Sequence, residues 1–168
     1  GDPNTTGETY TSNCECEDGR SNINYCAAQG ANGTGGDWIE RVRLNTLDHS
    51  SDKSGYSDFR AQSTSLGIGS SYTLTVNMNF SFALDEVYAW IDYDRDGVFE
   101  SSESIAMSSL NSSHQSEGTV NVPSGMSLGT TTMRVRAIYA DPNNAEPCGS
   151  IFGEVEDYTI NFEYCAVR

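Results

Sequence analysis

Lysine is almost missing from this 168-residue chain. Lys53 stands alone, and eight arginines bring the basic total to 9 against 24 acidic residues, a formal net charge of -15. Such a surface repels phosphate backbones and anionic lipid, so neither nucleic acid nor membrane is an expected partner. No apolar run approaches the ~20 residues of a membrane-crossing helix. Residues 1–7 read Gly-Asp-Pro-Asn-Thr-Thr-Gly, with no basic start and no apolar core. The expectation is that a signal has been removed or that this is an excised module. Histidine occurs twice, as His49 and His114 in polar surroundings, where both read as solvated loop residues. No G-x-S-x-G context surrounds a serine, and no glutamate sits in an apolar setting that would mark a glycosidase acid. No catalytic residue is expected, and the chain does not read as an enzyme.

Cysteine is present five times, at positions 14, 16, 26, 148 and 165. The C-x-C pair lacks a second pair or histidines at zinc spacing, which disfavours a zinc site. With a Ser/Thr/Gly-rich composition, disulfides in an oxidising, extracellular compartment are expected. The odd count leaves at least one thiol without an intrachain partner.

The strongest local signal is Asp92-Tyr-Asp-Arg-Asp-Gly-Val-Phe-Glu-Ser-Ser-Glu103, a complete D-x-D-x-D-G-x5-E calcium loop. Asp92, Asp94 and Asp96 occupy positions one, three and five. Gly97 permits the turn, the Val98 carbonyl serves position seven, and Glu103 closes the cage at position twelve. Two such carboxylates ~4 Å apart repel by about 4 kcal/mol at an effective dielectric of ~20, so the loop wants a cation. Asp85-Glu-Val-Tyr-Ala-Trp-Ile91 upstream reads as a strand, and Ser104 to Ser108 downstream is too short for a helix. The loop therefore bridges two strands. A structural Ca2+ follows, rather than a sensor with a helix pair to open.

Residues 1 to about 24 are polar and aperiodic, as in a linker or loosely docked tail. Strands are expected over 36–47, 72–80, 85–92, 103–108, 116–122, 131–139 and 157–162, with a polar loop at 48–55. Tyr72, Leu74, Val76, Met78 and Phe80 alternate with polar residues, as do Met133, Val135, Ala137 and Tyr139. Tyr158, Ile160 and Phe162 point inward at the end, and Val42, Leu44, Val87, Ala89 and Ile91 complete the core. No stretch has helical periodicity. Short strands with turn clusters predict an all-β, antiparallel, jelly-roll-like β-sandwich, with the EF-hand-like calcium loop between strands. Each sheet is expected to have one face in the core and one in water.

Three further constellations carry expectations. Arg41 and Arg43 share one strand face, and Arg134 and Arg136 share another. If those strands neighbour each other, four guanidinium groups form a cationic platform for anionic ligands; the alternative is ion pairing with nearby acids. Tyr93, between calcium ligands, is the best exposed ring for stacking on sugar. Glu154, Glu156 and Asp157, with Asp141 before them, either hold a second ion or satisfy backbone donors and arginines. Finally, Tyr25-Cys-Ala recurs as Tyr164-Cys-Ala, as though Tyr164 began a second copy of a tandem module.

Several motifs together resemble one family. They are Tyr25-Cys26, Trp38-Ile39, Gly55-Tyr-Ser-Asp-Phe59, Trp90-Ile-Asp-Tyr-Asp-Arg-Asp-Gly-Val-Phe99, Thr132-Met-Arg-Val-Arg136, Pro147-Cys148 and Phe152-Gly-Glu-Val-Glu-Asp-Tyr-Thr-Ile160. Their order over residues 25–162 resembles the GEVED domain. The resemblance implies a secreted, non-catalytic accessory module of large bacterial proteins, mostly from Bacteroidetes-type organisms, found beside peptidases, glycoside hydrolases and adhesins. It implies a domain over 25–163, a Cys26–Cys148 disulfide, and a linker or the start of a further module at 164–168. The pairing of Cys14, Cys16 and Cys165 stays open. The first functional expectation is a monomeric, calcium-stabilised carbohydrate-binding module tethering a secreted enzyme to a polysaccharide. The alternative is a protein-interaction or adhesive spacer contacting neighbouring domains of its parent protein.

Overall fold

The computed structural model describes residues 23–31, 38–139 and 146–164. The expectations for residues 1–22, for Cys14, Cys16 and Cys165, and for Asp141 lie outside these residues. The described strands are β1 (Ala28–Ala31), β2 (Ile39–Leu44), β3 (Leu47–Ser50), β4 (Tyr56–Gly67), β5 (Ser71–Met78), β6 (Asp85–Ile91), β7 (Ser104–Ile105), β8 (Gln115–Asn121), β9 (Gly129–Tyr139) and β10 (Gly149–Glu163). Between β6 and β7 lie residues 92–103, ending in a single 3-10 turn, Ser101–Glu103.

Two sheets form a β-sandwich. One has the order β1-β10-β9-β6-β7, with β4 also paired to β10; the other has the order β3-β2-β5-β8. Pairing is antiparallel except along one side of β10. There β1 runs parallel to Gly149–Phe152 and β4 runs parallel to Val155–Glu163. The core between the sheets holds the residues that alternation selects: Val42, Leu44, Leu74, Val76, Met78, Val87, Ala89, Ile91, Met133, Val135, Ala137, Tyr158, Ile160 and Phe162 are all buried there.

Several boundaries differ from the sequence expectation for physical reasons. The single strand expected over 36–47 is the hairpin β2–β3, because Asn45 takes a left-handed turn conformation (φ 50°). β4 carries no clean apolar stripe: it forms the outer strand beside β10, with a register shift near Tyr158, and Arg60 to Ser63 are exposed. The 103–108 strand shrinks to Ser104–Ile105 and an isolated bridge from Met107 to Gly118. Phe80 and Tyr139, expected inward, sit at strand ends and are 45% and 41% exposed.

The larger sheet is buried on both faces, which simple alternation does not anticipate. Trp90, Arg134 and Arg136 lie on its outer face, yet all are buried. A strap formed by residues 23–28 crosses this face. Arg134 Nη1 donates to the Cys26 carbonyl at 3.0 Å and to the Pro147 carbonyl at 2.9 Å. The Cys26–Cys148 disulfide, with Cα atoms 5.6 Å apart, closes the strap onto the segment before β10.

Candidate metal centre and the strap packed on it

β6 ends at Ile91, and the chain turns at once into the acidic loop. Odd and even positions there have different tasks. Asp92, Asp94 and Asp96 each bring a carboxylate oxygen within 4.8 Å of the others. A second, overlapping group joins Asp94 to Glu100 and Glu103 under the same limit. The residues between them anchor the loop to the sandwich. Tyr93 stacks on Phe162 with ring centroids 5.9 Å apart. Arg95, at φ 63°, donates from Nη1 to the Leu128 carbonyl at 2.7 Å. Gly97 takes φ 88°, in the region that disfavours side chains, and a Cβ there would meet Ile23 Cγ2 at 2.7 Å.

Asp92 is fully buried. Its Oδ1 accepts from the Arg95 N–H at 2.6 Å, and its Oδ2 accepts from the Gly97 N–H at 3.1 Å and from the Tyr25 hydroxyl at 2.7 Å. Burial pushes the Asp92 carboxyl above the usual carboxylate range, against those donors. Glu103 Oε1 accepts from the N–H groups of Tyr93 (2.5 Å) and Asp94 (3.3 Å), and its Oε2 from that of Glu100 (3.2 Å). Burial, together with the neighbouring Glu100 side chain, raises Glu103 to about 7. The Val98 N–H donates to Asp96 Oδ1 at 2.8 Å, which holds that peptide beside the carboxylates.

These residues fit a hard divalent cation. All donors are oxygens. Calcium–oxygen bonds of ~2.4 Å put oxygens on opposite sides of an ion ~4.8 Å apart, the span over which the carboxylates converge. A carboxylate has about four acceptor sites, so Glu103 retains capacity beyond its backbone partners. Two participants escaped the sequence reading. Glu100 stands at loop position nine, a ligand position in such loops, and counting to nine would have found it. Tyr25 contributes from 67 residues away, and no local pattern announces it.

The four arginines do not form a platform. Arg41 and Arg43 lie on the smaller sheet, Arg134 and Arg136 on the larger. Arg41 pairs with Asp48 at 2.6 Å on the surface, and Arg43 Nη2 donates to Asn77 at 3.2 Å. Arg134 and Arg136 are 2% and 0% exposed. Arg136 donates to the carbonyls of Glu146, of Cys148 at 2.8 Å and of Gly149 at 3.0 Å. Burial, then the charge of Arg134, lowers it to about 10. Tyr93 is half-buried against the core rather than presented to solvent.

The acidic residues near the start of β10 are likewise structural. Gly153, at φ 140°, lies so close to β9 that a Cβ would meet the Ala137 carbonyl oxygen at 1.8 Å. Glu154 points between the sheets, where it accepts from the N–H of Ile39 at 2.7 Å and of Ser54 at 2.5 Å. Glu156 accepts from the Ser51 hydroxyl at 2.6 Å and the Tyr158 hydroxyl at 2.7 Å. Burial raises both glutamates to about 7. His49, expected in a solvated loop, is half-buried on β3, with Nδ1 3.2 Å from the Tyr158 hydroxyl and its ring 4.4 Å from Phe59. Asp157 instead faces the strap, bonded to Arg134 and to the Tyr56 hydroxyl at 3.0 Å. Satisfying donors and arginines, not gathering around a second ion, is what these three acids do.

Comparison with known proteins gives one family match: a model described as the GEVED domain matches residues 86–161. No curated protein matches the chain. Among solved structures, the ASH / PapD-like domain of human CEP192 (PapD-like domain 7) is similar at 12% identity and a TM-score of 0.31, covering 77% of this chain and 89% of that one.

Proposed function

Residues 86–161 belong to the GEVED domain family, an accessory rather than a catalytic family, and from that premise we propose a secreted, non-catalytic, calcium-stabilised spacer and interaction module. The observation that carries the proposal is the convergence of Asp92, Asp94 and Asp96 in a loop pinned to the sandwich by the residues between them. Ca2+ would be held by these three carboxylates with Glu100, Glu103 and the Val98 carbonyl. It would supply the positive charge that the cluster lacks. Calcium modules outside cells work at affinities of about 10⁻⁴–10⁻³ M, which suits a loop of this kind. The Cys26–Cys148 disulfide fits the same oxidising compartment. The module is taken to be monomeric and to contact neighbouring domains of its parent protein.

Chelation of calcium should lower the melting temperature, and Asp94→Ala should remove the response. An Asp94→Ala protein that still gains stability from calcium would reject this loop as the site.

A second reading, the carbohydrate-binding one, keeps a specific observation although the arginine platform is gone. Phe80, Phe82 and Tyr139 form an exposed row, with centroids 5.1 Å and 6.0 Å apart, and His114 packs on Phe80 at 5.1 Å. Exposed rings on that scale suit stacking on the apolar faces of a neutral polysaccharide. Affinity electrophoresis against neutral, uronate-rich and sulfated polysaccharides tests it. Retardation lost in Phe82→Ala supports the reading; no retardation of the calcium-loaded protein removes it.

A further inference from the structure

We propose that cation binding in the 92–103 loop and docking of the strap over residues 23–28 are one coupled equilibrium, transmitted by Tyr25. The inference rests on the calcium reading above and assigns a role to residues outside the loop.

The strap has two differently anchored halves. From Cys26 onward it is held by the disulfide, by Arg134, and by the Gly149 N–H donating to the Ala27 carbonyl at 2.8 Å. Before Cys26 the anchor is chiefly the loop, with the Tyr25 hydroxyl also 3.4 Å from Thr131 Oγ1 on β9. The Tyr25 hydroxyl donates to Asp92 Oδ2 at 2.7 Å, and its ring stacks on Phe99 at 4.8 Å. Ile23 lies over Gly97. These loop residues belong to the segment that carries the ligands: Asp92 is position one, Gly97 forms the turn, and Phe99 precedes Glu100. Phe99 in turn lies under the Arg134 guanidinium, 5.1 Å from ring centroid to Cζ.

The coupling follows from the carboxylate at position one. Asp92 is buried, forms no ion pair among the described residues, and is oriented by three donors. Of these, only the Tyr25 hydroxyl comes from outside the loop. When it is in place, one Asp92 oxygen is aimed before any ion arrives; when a cation holds the carboxylates, the surface on which Tyr25 and Ile23 sit is ordered. Each event favours the other by the same factor, as linkage requires. The consequence is calcium-dependent stiffness where the chain enters the domain.

The test uses Tyr25→Phe, which keeps the ring and removes the hydroxyl. Its calcium affinity, measured by isothermal titration, should fall roughly tenfold, the lower bound typical of residues that orient metal ligands. Hydrogen exchange in a peptide covering residues 23–28 should slow on adding calcium to the unaltered protein, and should not respond in Asp94→Ala. Tyr56→Phe, which removes a similar hydroxyl bond to Asp157, is expected to leave the affinity unchanged. Calcium binding by the unaltered protein with no change in strap exchange, or with equal affinity in Tyr25→Phe, overturns the coupling and leaves the calcium reading standing. No calcium binding by the unaltered protein overturns both.

Discussion

Arg134 and Asp157 sit directly opposite each other on β9 and β10, and join through two parallel bonds: Nε to Oδ1 at 2.8 Å and Nη2 to Oδ2 at 2.8 Å. Both side chains are almost wholly buried. The remaining guanidinium nitrogen, Nη1, holds the strap through the Cys26 carbonyl and the segment before β10 through the Pro147 carbonyl. The pair therefore joins two strands and the strap in one place.

Removing one partner should be worse than removing both. Asp157→Ala leaves a buried guanidinium without its counter-ion, and a loss of roughly 3–5 kcal/mol is expected. Arg134→Met with Asp157→Leu should recover part of that loss. Urea denaturation of the single and double variants measures it; a double variant as weak as the sum of the two singles would show that the charges are not the issue.

Stability should fall as pH rises through neutrality. Burial raises Glu154 and Glu156 from the ordinary 4.5 to about 7. The folded protein thus holds these protons more tightly than the unfolded chain. Their contribution is complete below pH 4.5 and is lost as pH passes 7, by up to roughly 3 kcal/mol each. Glu156 faces Ser51 and Tyr158, with Glu154 adding like charge. Glu156→Gln should reduce the pH slope of unfolding free energy between about pH 4.5 and 7, the window between the unfolded and folded values. A profile superimposable on that of the unaltered protein would refute the assignment.

Glu100 should matter to calcium. Glu100→Gln is expected to weaken calcium binding, though less than Asp94→Ala, because Asp94 belongs to both carboxylate groups and Glu100 to one. Titration calorimetry of both variants decides the order; equal affinity in Glu100→Gln and the unaltered protein would exclude Glu100 from the cage.

Gly153→Ala should be among the most damaging single methyl groups in the chain. The position combines a left-handed-side φ of 140° with a carbonyl oxygen 1.8 Å from the added Cβ. Separation of β9 from β10 is the only relief, so a loss of several kcal/mol, or failure to fold, is expected. Thermal unfolding within a degree of the unaltered protein would contradict the packing described here.

Much of the candidate site was legible because its signal is local. The D-x-D-x-D-G spacing places alternate carboxylates on one side of a tight turn whatever surrounds it, and Asp92, Asp94 and Asp96 do converge. Gly97 adopts the positive φ that the turn requires. The arginines show the opposite case. Period two placed Arg134 and Arg136 on the outer face, correctly, but periodicity is silent on whether another segment covers that face. Tyr25 carries no local signal of its role, because its partner Asp92 is 67 positions away. β4 went unseen because an outer strand with exposed side chains carries no apolar alternation.

Alternation and turn chemistry were enough to specify an all-β chain, its core and its acidic loop, since both act between residues a few positions apart. Everything that depends on a long-range partner awaited the folded chain: the strap over the larger sheet, the parallel pairing of β1 and β4 with β10, and the inward glutamates. The reason is energetic. A polar group enters the interior only if a partner meets it there, and the partners of Glu154, Asp157 and Arg134 come together only when both sheets and the strap have closed.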